Sequence, residues 1–390
     1  MIRNSHDIYF NDRTSWSKVL FKEIAERVSQ SGESGEVPYI EFEDIISGEG
    51  KLNKDIYQRN IKKVGKKFNP DDVLFGKLRP YLRNIFFANT SGIAVGDFWV
   101  LRPVGIEPYL LFLLVNSQAF MEVANISSGS KMPRADWKLV SNMEIVIPES
   151  RQDQQSISNF FKLVDSYMAG VSNKLASLKQ IKSACLQAMF PQEGESVPKV
   201  RFKGFNEEWN KVEFGSLIDE CLEKSKTENE DILLSSAING LFLNSELFGH
   251  QRGKSNIGYR KIKKNMLILS AQNLHLGNAN VNLRFEHGLV SPAYKIYYLR
   301  NVNPLFMHQW IKRDSTKTFF LNATTAGASL CRKNIVWEDL YKQTLLAPSM
   351  EEQEHIGRFF INLDYQITLQ TQRLEKLKQI KIACLDKMFV

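Results

Sequence analysis

LASLKQIKSACLQAMF, residues 175–190, returns at the end of the chain as LEKLKQIKIACLDKMF, residues 374–389. Extended backwards, the match pairs Gln154 with Gln353, Ile157 with Ile356, Phe160 and Phe161 with Phe359 and Phe360, and Asp165 with Asp364. Roughly 16 of 37 positions are identical at a constant offset of 199, so this is an internal repeat. Each copy follows a four-three spacing. Val164, Met168, Val171, Leu175, Leu178, Lys182, Cys185 and Met189 make one series. Leu363, Ile367, Gln370, Leu374, Leu377, Lys381, Cys384 and Met388 make the other. Such an a/d seam predicts a coiled-coil helix about 55 Å long in each copy. One helix cannot bury its seam alone, and the chain supplies a second. Leu175, Leu178, Cys185 and Met189 are the packing residues of the first helix, and Leu374, Leu377, Cys384 and Met388 those of the second. Each helix follows its own globular domain, so antiparallel pairing would hold the two domains apart and parallel pairing would crowd them.

The repeat extends into those domains. WSKVLFKEI at 16–24 matches WNKVEFGSL at 209–217, and each is followed by a stretch, AERVSQS or DECLEKS, that suits a short amphipathic helix. GIAVGDFWVLR at 92–102 pairs with GLVSPAYKIYYLR at 288–300. Both are β-branched and aromatic after an opening glycine, hence strands. After Trp137 and Trp337, a short helix and an apolar strand (MEIVIP, QTLLAP) end at Pro148 and Pro348. Residues 25–75 and 103–135 have no convincing counterparts in 218–265 and 301–336, which suggests similar frames with different interiors. The expected fold is mixed α/β (α+β). It has domains at 1–148 and 196–348, a helix and linker at 149–195, and a last helix at 349–390. PQEGESVPKVRFKGFNEEW at 191–209 reads as linker and entry strand.

The chain has 390 residues, 43% hydrophobic and 24% charged, as in ordinary soluble proteins. No apolar run approaches the roughly 18 residues of a membrane span. The N-terminus, MIRNSHDIYFNDR, has no apolar core, so no secretory signal is expected. Four scattered cysteines without a CxxC pair point to a reducing cytoplasm, and six dispersed histidines show no metal spacing. Net charge is +8 with a pI near 9.1, which favours a polyanionic partner. Lys51, Lys54, Arg59, Lys62, Lys63, Lys66 and Lys67 crowd one segment. Arg252, Lys254, Arg260, Lys261, Lys263 and Lys264 crowd another, with no acidic residue between 247 and 285. One basic run in each half favours a nucleic-acid surface over solvated faces.

Motifs for nucleotide binding, metalloprotease or serine-hydrolase chemistry and amino-methylation are missing. Asp71 and Asp72 before Lys77 and Arg79 could be forced into a nuclease pattern, but such spacings are common by chance. The most distinctive polar stretch is FGKLRPYLR at 75–83, where Lys77, Arg79, Tyr81 and Arg83 sit at a strand end or in the loop beyond. Arginine forks suit guanine edges or phosphate oxygens. A second candidate is SSGSKMPR at 127–134, with Ser130, Lys131 and Arg134. Its counterpart at 324–333 holds Ser329, Arg332 and Lys333. Hydroxyls and glycine-rich backbone commonly hold phosphate. In the second half SAQNLHLGN at 270–278, with Asn273, stands where the first has FGKLRPYLR.

Together these residues resemble the specificity (S) subunit of type I restriction–modification systems, over essentially the whole chain. LFGKLRPYLRN and GDFWVLRP carry the resemblance in the first half, and RFKGFNEEW and GLVSPAY in the second. Both helices end in ACLxxMF. The arginines of the first half have no match at 270–278, so their roles do not transfer, and the first half lacks the RFKGF lead-in. The resemblance implies two target recognition domains, each reading half of a split double-stranded DNA target, held apart by an antiparallel helix pair. It also implies DNA methyltransferase and restriction/translocase partner subunits, which would carry S-adenosylmethionine, ATP and Mg²⁺, and no catalysis by this chain. The alternative is a pseudo-dimeric coiled-coil scaffold for protein partners, without sequence-specific DNA binding.

Overall fold

Trp16–Leu20 is a strand laid antiparallel on Glu144–Pro148, Trp16 opposite Pro148 and Leu20 opposite Glu144. The computed structural model describes residues 15–35, 37–57, 62–126, 132–248, 255–325 and 333–389. The chain divides into two units. The first comprises Met1–Ser172 with Gln372–Val390, the second Asn173–Thr371.

The centre of unit one is an antiparallel sheet in the order Ala25–Val28, Phe98–Pro103, Val73–Gly76, Ile85–Phe87. Its two inner strands, Phe98–Pro103 and Val73–Gly76, are buried on both faces, and alternate side chains go to different cores. Val73, Phe75, Trp99 and Leu101 join the helices Pro108–Asn116 and Gln118–Ala124. Leu74, Phe98 and Val100 face the other way, into a core shared with Phe68 and Ala94 of a second sheet. Trp99 and Trp137 meet edge to face at 5.2 Å, so the short helix Trp137–Ser141 closes on the first core.

Unit two repeats the central sheet in the order Ile218–Cys221, Tyr294–Leu299, Leu267–Ser270, Ala279–Val281. Leu267, Leu269 and Tyr297 pack towards the helix Pro304–Trp310, and Ile268 and Ile296 pack into a separate core. Asn210–Glu213 pairs with Thr344–Ala347 as Trp16–Leu20 pairs with its partner. Two sequence expectations are corrected here. The stretches after Ile24 and Leu217 open as strands, Ala25–Val28 and Ile218–Cys221, not as amphipathic helices. Ala25 and Val28 are buried between exposed Glu26 and Arg27, and pairing with Val100–Pro103 overrides a helical preference. Four residues are too few to separate the two periodicities. Residues 25–28 and 103–124 also have counterparts in the second half, as a strand and a helix pair. The burial pattern, buried ends around two more exposed residues, is kept in the two strands while identities are not.

The long helices run over Arg151–Ala188 and Met350–Met388, 38 and 39 residues. In unit one Lys381 Nζ reaches the Asp165 carboxylate at 2.6 and 2.8 Å, and Arg373 lies 5.8 Å over the Tyr167 ring. Leu385 and Phe389 enter the core beside Ile157 and Phe161. In unit two Lys182 meets Asp364 at 2.5 Å, and Met189 and Phe190 enter the core with Ile356 and Phe360. Within each unit the contacts climb one helix segment as they descend the other, so the two segments there run antiparallel. No residue of either seam is exposed.

The repeated glutamines fasten each helix to its domain. Gln154 accepts from Glu107 N at 2.9 Å and donates to Pro148 O at 2.8 Å. Gln353 accepts from Asn303 N at 2.8 Å and donates to Pro348 O at 2.9 Å. The lead-in of the second half contains no strand before Asn210. Its Arg201 is bidentate on buried Glu352, at 2.8 and 2.6 Å, and Phe202 packs on Phe359. RFKGF is therefore a clasp on the start of the last helix.

His308 gives unit two a pH response. Its Nδ1 is buried without a hydrogen-bond partner. Burial, then the Lys312 ammonium and Lys182, lower its pKa to about 4 against the opposing pull of Asp364. The unfolded imidazole takes up its proton first. Stability should therefore be lost as pH falls from about 6.5 towards about 4, by roughly 3 kcal/mol in all. Denaturant titrations at pH 7 and 4.5 should show a smaller loss in His308→Leu than in the parent. Equal losses would place the acid sensitivity elsewhere.

Candidate nucleic-acid interface

The two stretches singled out in the first half are sewn together. Leu78 forms a β-bridge with Arg134, Arg79 N donates to Pro133 O at 2.8 Å, and Ala135 N donates to Lys77 O at 2.8 Å. Arg79 and Arg83, with φ of 50° and 51°, flank the 3-10 turn Pro80–Leu82. Both occupy the left-handed region that non-glycine residues seldom enter, held there by the stitched loop.

The stitching gathers charge around Asp97. Its carboxylate takes Arg134 Nε at 3.0 Å and Lys77 Nζ at 3.4 Å. Burial pushes its pKa up, but the Arg134 hydrogen bond and the Lys77 charge outweigh this and hold it below the ordinary range. Lys66 Nζ donates to Phe98 O at 3.0 Å, and burial followed by the charges of Lys77 and Arg27 lowers its pKa. Arg27 lies 5.0 Å over the Trp137 ring. The sequence reading missed Arg27. It sits beside exposed Glu26 on a strand whose end residues, Ala25 and Val28, are buried.

Lys62, Lys67, Arg79 and Tyr81 are exposed. Lys63 is 3.4 Å from Glu41, and Lys54 pairs with Asp44 at 2.9 Å. Arg83 donates to Asn116 O and Gln118 Oε1 at 2.9 and 3.0 Å, so its guanidinium braces the junction of two helices. Buried Asp72 is bound by Arg102 at 2.9 and 2.8 Å, a structural pair. Ser130, Lys131 and Arg59 lie outside the described residues.

Unit two keeps the frame and changes its chemistry. The turn Leu274–Leu276 ends at Gly277, φ 91°, and Ser270 N donates to Asn278 O as Gly76 N donates to Asn84 O. Asn273 stands at the head of that turn, partly buried, where unit one has Arg79. The described lysines of the second basic run have carboxylate partners: Lys261 with Glu230, Lys263 with Glu223 at 3.7 Å, Lys264 with Glu286 at 2.5 Å. Arg260 Nε and Nη1 are buried without hydrogen-bond partners. Lys295 lies 4.5 Å over Trp337 and 3.1 Å from Glu220. Each repeated tryptophan thus carries a cation, supplied from different strands. Lys333 is partly buried; Ser329, Arg332, Arg252 and Lys254 lie outside the described residues.

Among the described residues no cluster of three or more His, Cys, Asp or Glu could hold a metal, and no helix is long and apolar enough to cross a membrane. What unit one offers is exposed cationic surface at Lys62 and Lys67, for which no ion pair is seen among the described residues, and separately the group of Lys66, Lys77, Arg134 and Arg27. Lys62→Gln with Lys67→Gln should flatten the salt dependence of DNA binding by roughly one to two slope units and weaken binding to all sequences alike. An unchanged slope would turn this face away from DNA.

A central antiparallel sheet backed by helices and followed by a long helix thus occurs in each unit of the chain. Residues 22–180 match the family model of the type I restriction modification DNA specificity domain. The chain is 22% identical over 185 residues to the type I restriction enzyme EcoDI specificity subunit of Escherichia coli; the match covers 45% of this chain and 41% of that relative. It shares its fold with the type I restriction-modification system S subunit from M. genitalium, at a TM-score of 0.60, 12% identity and 98% of both chains. A structure concerned with complex assembly and conformational transition of the type I R-M system matches at a TM-score of 0.55 and 18% identity, over 96% of this chain and 97% of that one.

Proposed function

We propose that this chain is the DNA reader of a type I restriction–modification complex. Each domain reads one half of a bipartite, asymmetric target, and the helix pair sets the length of the unread spacer. Methylation and cleavage belong to methyltransferase and restriction/translocase partners, which carry S-adenosylmethionine, ATP and Mg²⁺, and this chain works beside them in the cytoplasm without chemistry of its own. The observation that carries the reading is the shared frame with unlike loops. Residues 77–84 and 271–278 follow the same strand, turn and left-handed residue, yet one is armed with Lys77, Arg79 and Tyr81 and the other with Gln272 and partly buried Asn273. Two such surfaces present different donors and acceptors to base edges, so unlike half-sites follow.

Sequencing of methylated sites in cells carrying this chain and its methyltransferase tests the reading. Two unlike half-sites at one fixed spacing are expected; a single contiguous site, or none, would refute it. Arg134→Ala should relax preference at one half-site by about 1–3 kcal/mol if its fork reaches a base. Equal weakening on every sequence would make Arg134 a phosphate contact.

A further inference from the structure

The ion pairs between the long helices fall at unusual places. Lys182 and Lys381 occupy positions of the a/d seams that apolar residues would otherwise fill. They are equivalent residues of the repeat, as are their partners Asp364 and Asp165. Each aspartate has a third contact. Tyr109, on the helix Pro108–Asn116, donates its hydroxyl to Asp165 Oδ2 at 2.6 Å. Burial first, and then the Asp165 charge, push the Tyr109 phenol well above its ordinary range, so it stays a donor. In unit two Gln309, on the helix Pro304–Trp310, donates to Asp364 Oδ2 at 3.3 Å. A three-way node therefore occurs twice: a side chain from the globular domain, an aspartate of the long helix leaving that domain, and a seam lysine of the other long helix.

We infer that the two nodes, Tyr109–Asp165–Lys381 and Gln309–Asp364–Lys182, are positioning devices that lock each recognition domain to one register of the helix pair and so narrow the range of spacer lengths accepted. Apolar seam residues resist sliding only weakly, because one leucine replaces another at little cost. A seam lysine moved by one heptad leaves its carboxylate and sits unpaired against apolar neighbours, an arrangement far less stable than the matched one. The aspartate is the common member. It ties the register to the domain through Tyr109 or Gln309, so sliding one helix also strips a hydrogen bond from the domain. Lys381 and Asp165 side chains are 18% and 25% exposed, and Lys182 and Asp364 22% and 32%. Solvent therefore screens neither pair fully.

The inference rests on the bipartite reading above. Its test uses the full chain with its methyltransferase and a DNA pool in which both half-sites are kept and spacer length is varied. The parent protein is run first. If it favours no spacer length, the bipartite reading itself fails. If it favours one, Asp165→Asn should reduce discrimination against spacers about three base pairs longer or shorter, the length of one heptad, by about tenfold, with the half-sites read as before. The exchange Asp165→Lys with Lys381→Asp should restore most of that discrimination, which a purely structural role would not do. Tyr109→Phe keeps the ring and the ion pair, folds with the least disturbance, and should widen the spacer range in the same direction. A parent-like single spacer in both Asp165→Asn and Tyr109→Phe overturns the inference. Should Asp165→Asn not fold, Tyr109→Phe alone decides.

Discussion

Inserting one matched heptad into each long helix, after Val171 and after Gln370, is expected to lengthen the unread spacer by about three base pairs and leave both half-sites unchanged. Val171 and Gln370 are buried seam residues, each next to a unit boundary. Asp165 and Lys381 lie in one unit, and Lys182 and Asp364 in the other. The paired insertions therefore disturb neither ion pair, and the new heptads complete each other's seam. Seven residues add about 10.5 Å of helix, which matches about three pairs at 3.4 Å. The DNA twist between half-sites changes by about a third of a turn, so affinity should fall as the preferred spacer shifts. Sites selected from a randomised pool give the answer. An unchanged spacer, with helix content and thermal transition intact, would remove the ruler from the mechanism. A single insertion, in one helix alone, should instead destabilise the chain, because half the seam loses its partner.

The largest stability effect is expected from the repeated glutamine. Gln154→Leu removes both hydrogen bonds that hold the long helix to its domain, leaving the buried Glu107 N–H and Pro148 C=O without that side chain. Two buried polar groups left unsatisfied cost about 2–4 kcal/mol together. Gln353→Leu should cost a similar amount at Asn303 and Pro348, because its two bonds are the same in kind and within 0.1 Å in length. Urea titration of the two variants and the parent measures this. A loss below about 0.5 kcal/mol would mean that the freed groups find other partners.

Much of this architecture can be read without coordinates. The seams are legible because a helical period is local: burial at every third and fourth residue is written in 40 consecutive letters. The repeat is legible because identities at a fixed offset need no physics. Gln154 and Gln353 stood out as a repeated pair in the same way, although the bonds they make did not. The short strands after Ile24 and Leu217 were misread because four residues carry no clear period, and their state is set by the strand that pairs with them.

The candidate site divides along the same line. Residue type and clustering mark Lys77, Arg79 and Arg134 as candidates for DNA contact. Only folding brings Arg134 against Leu78 by a β-bridge and sets it with Lys77 on Asp97. Only folding adds Arg27 over Trp137, spends Arg83 on a helix junction, and pairs Lys261, Lys263 and Lys264 with carboxylates remote in sequence. The sequence by itself determined the repeat, the two long helices and the seam along which they meet, since each depends on neighbours within a few turns. The tertiary structure decided which cations remain free to meet a ligand, because charge neutralisation depends on distances across the fold that no local pattern encodes.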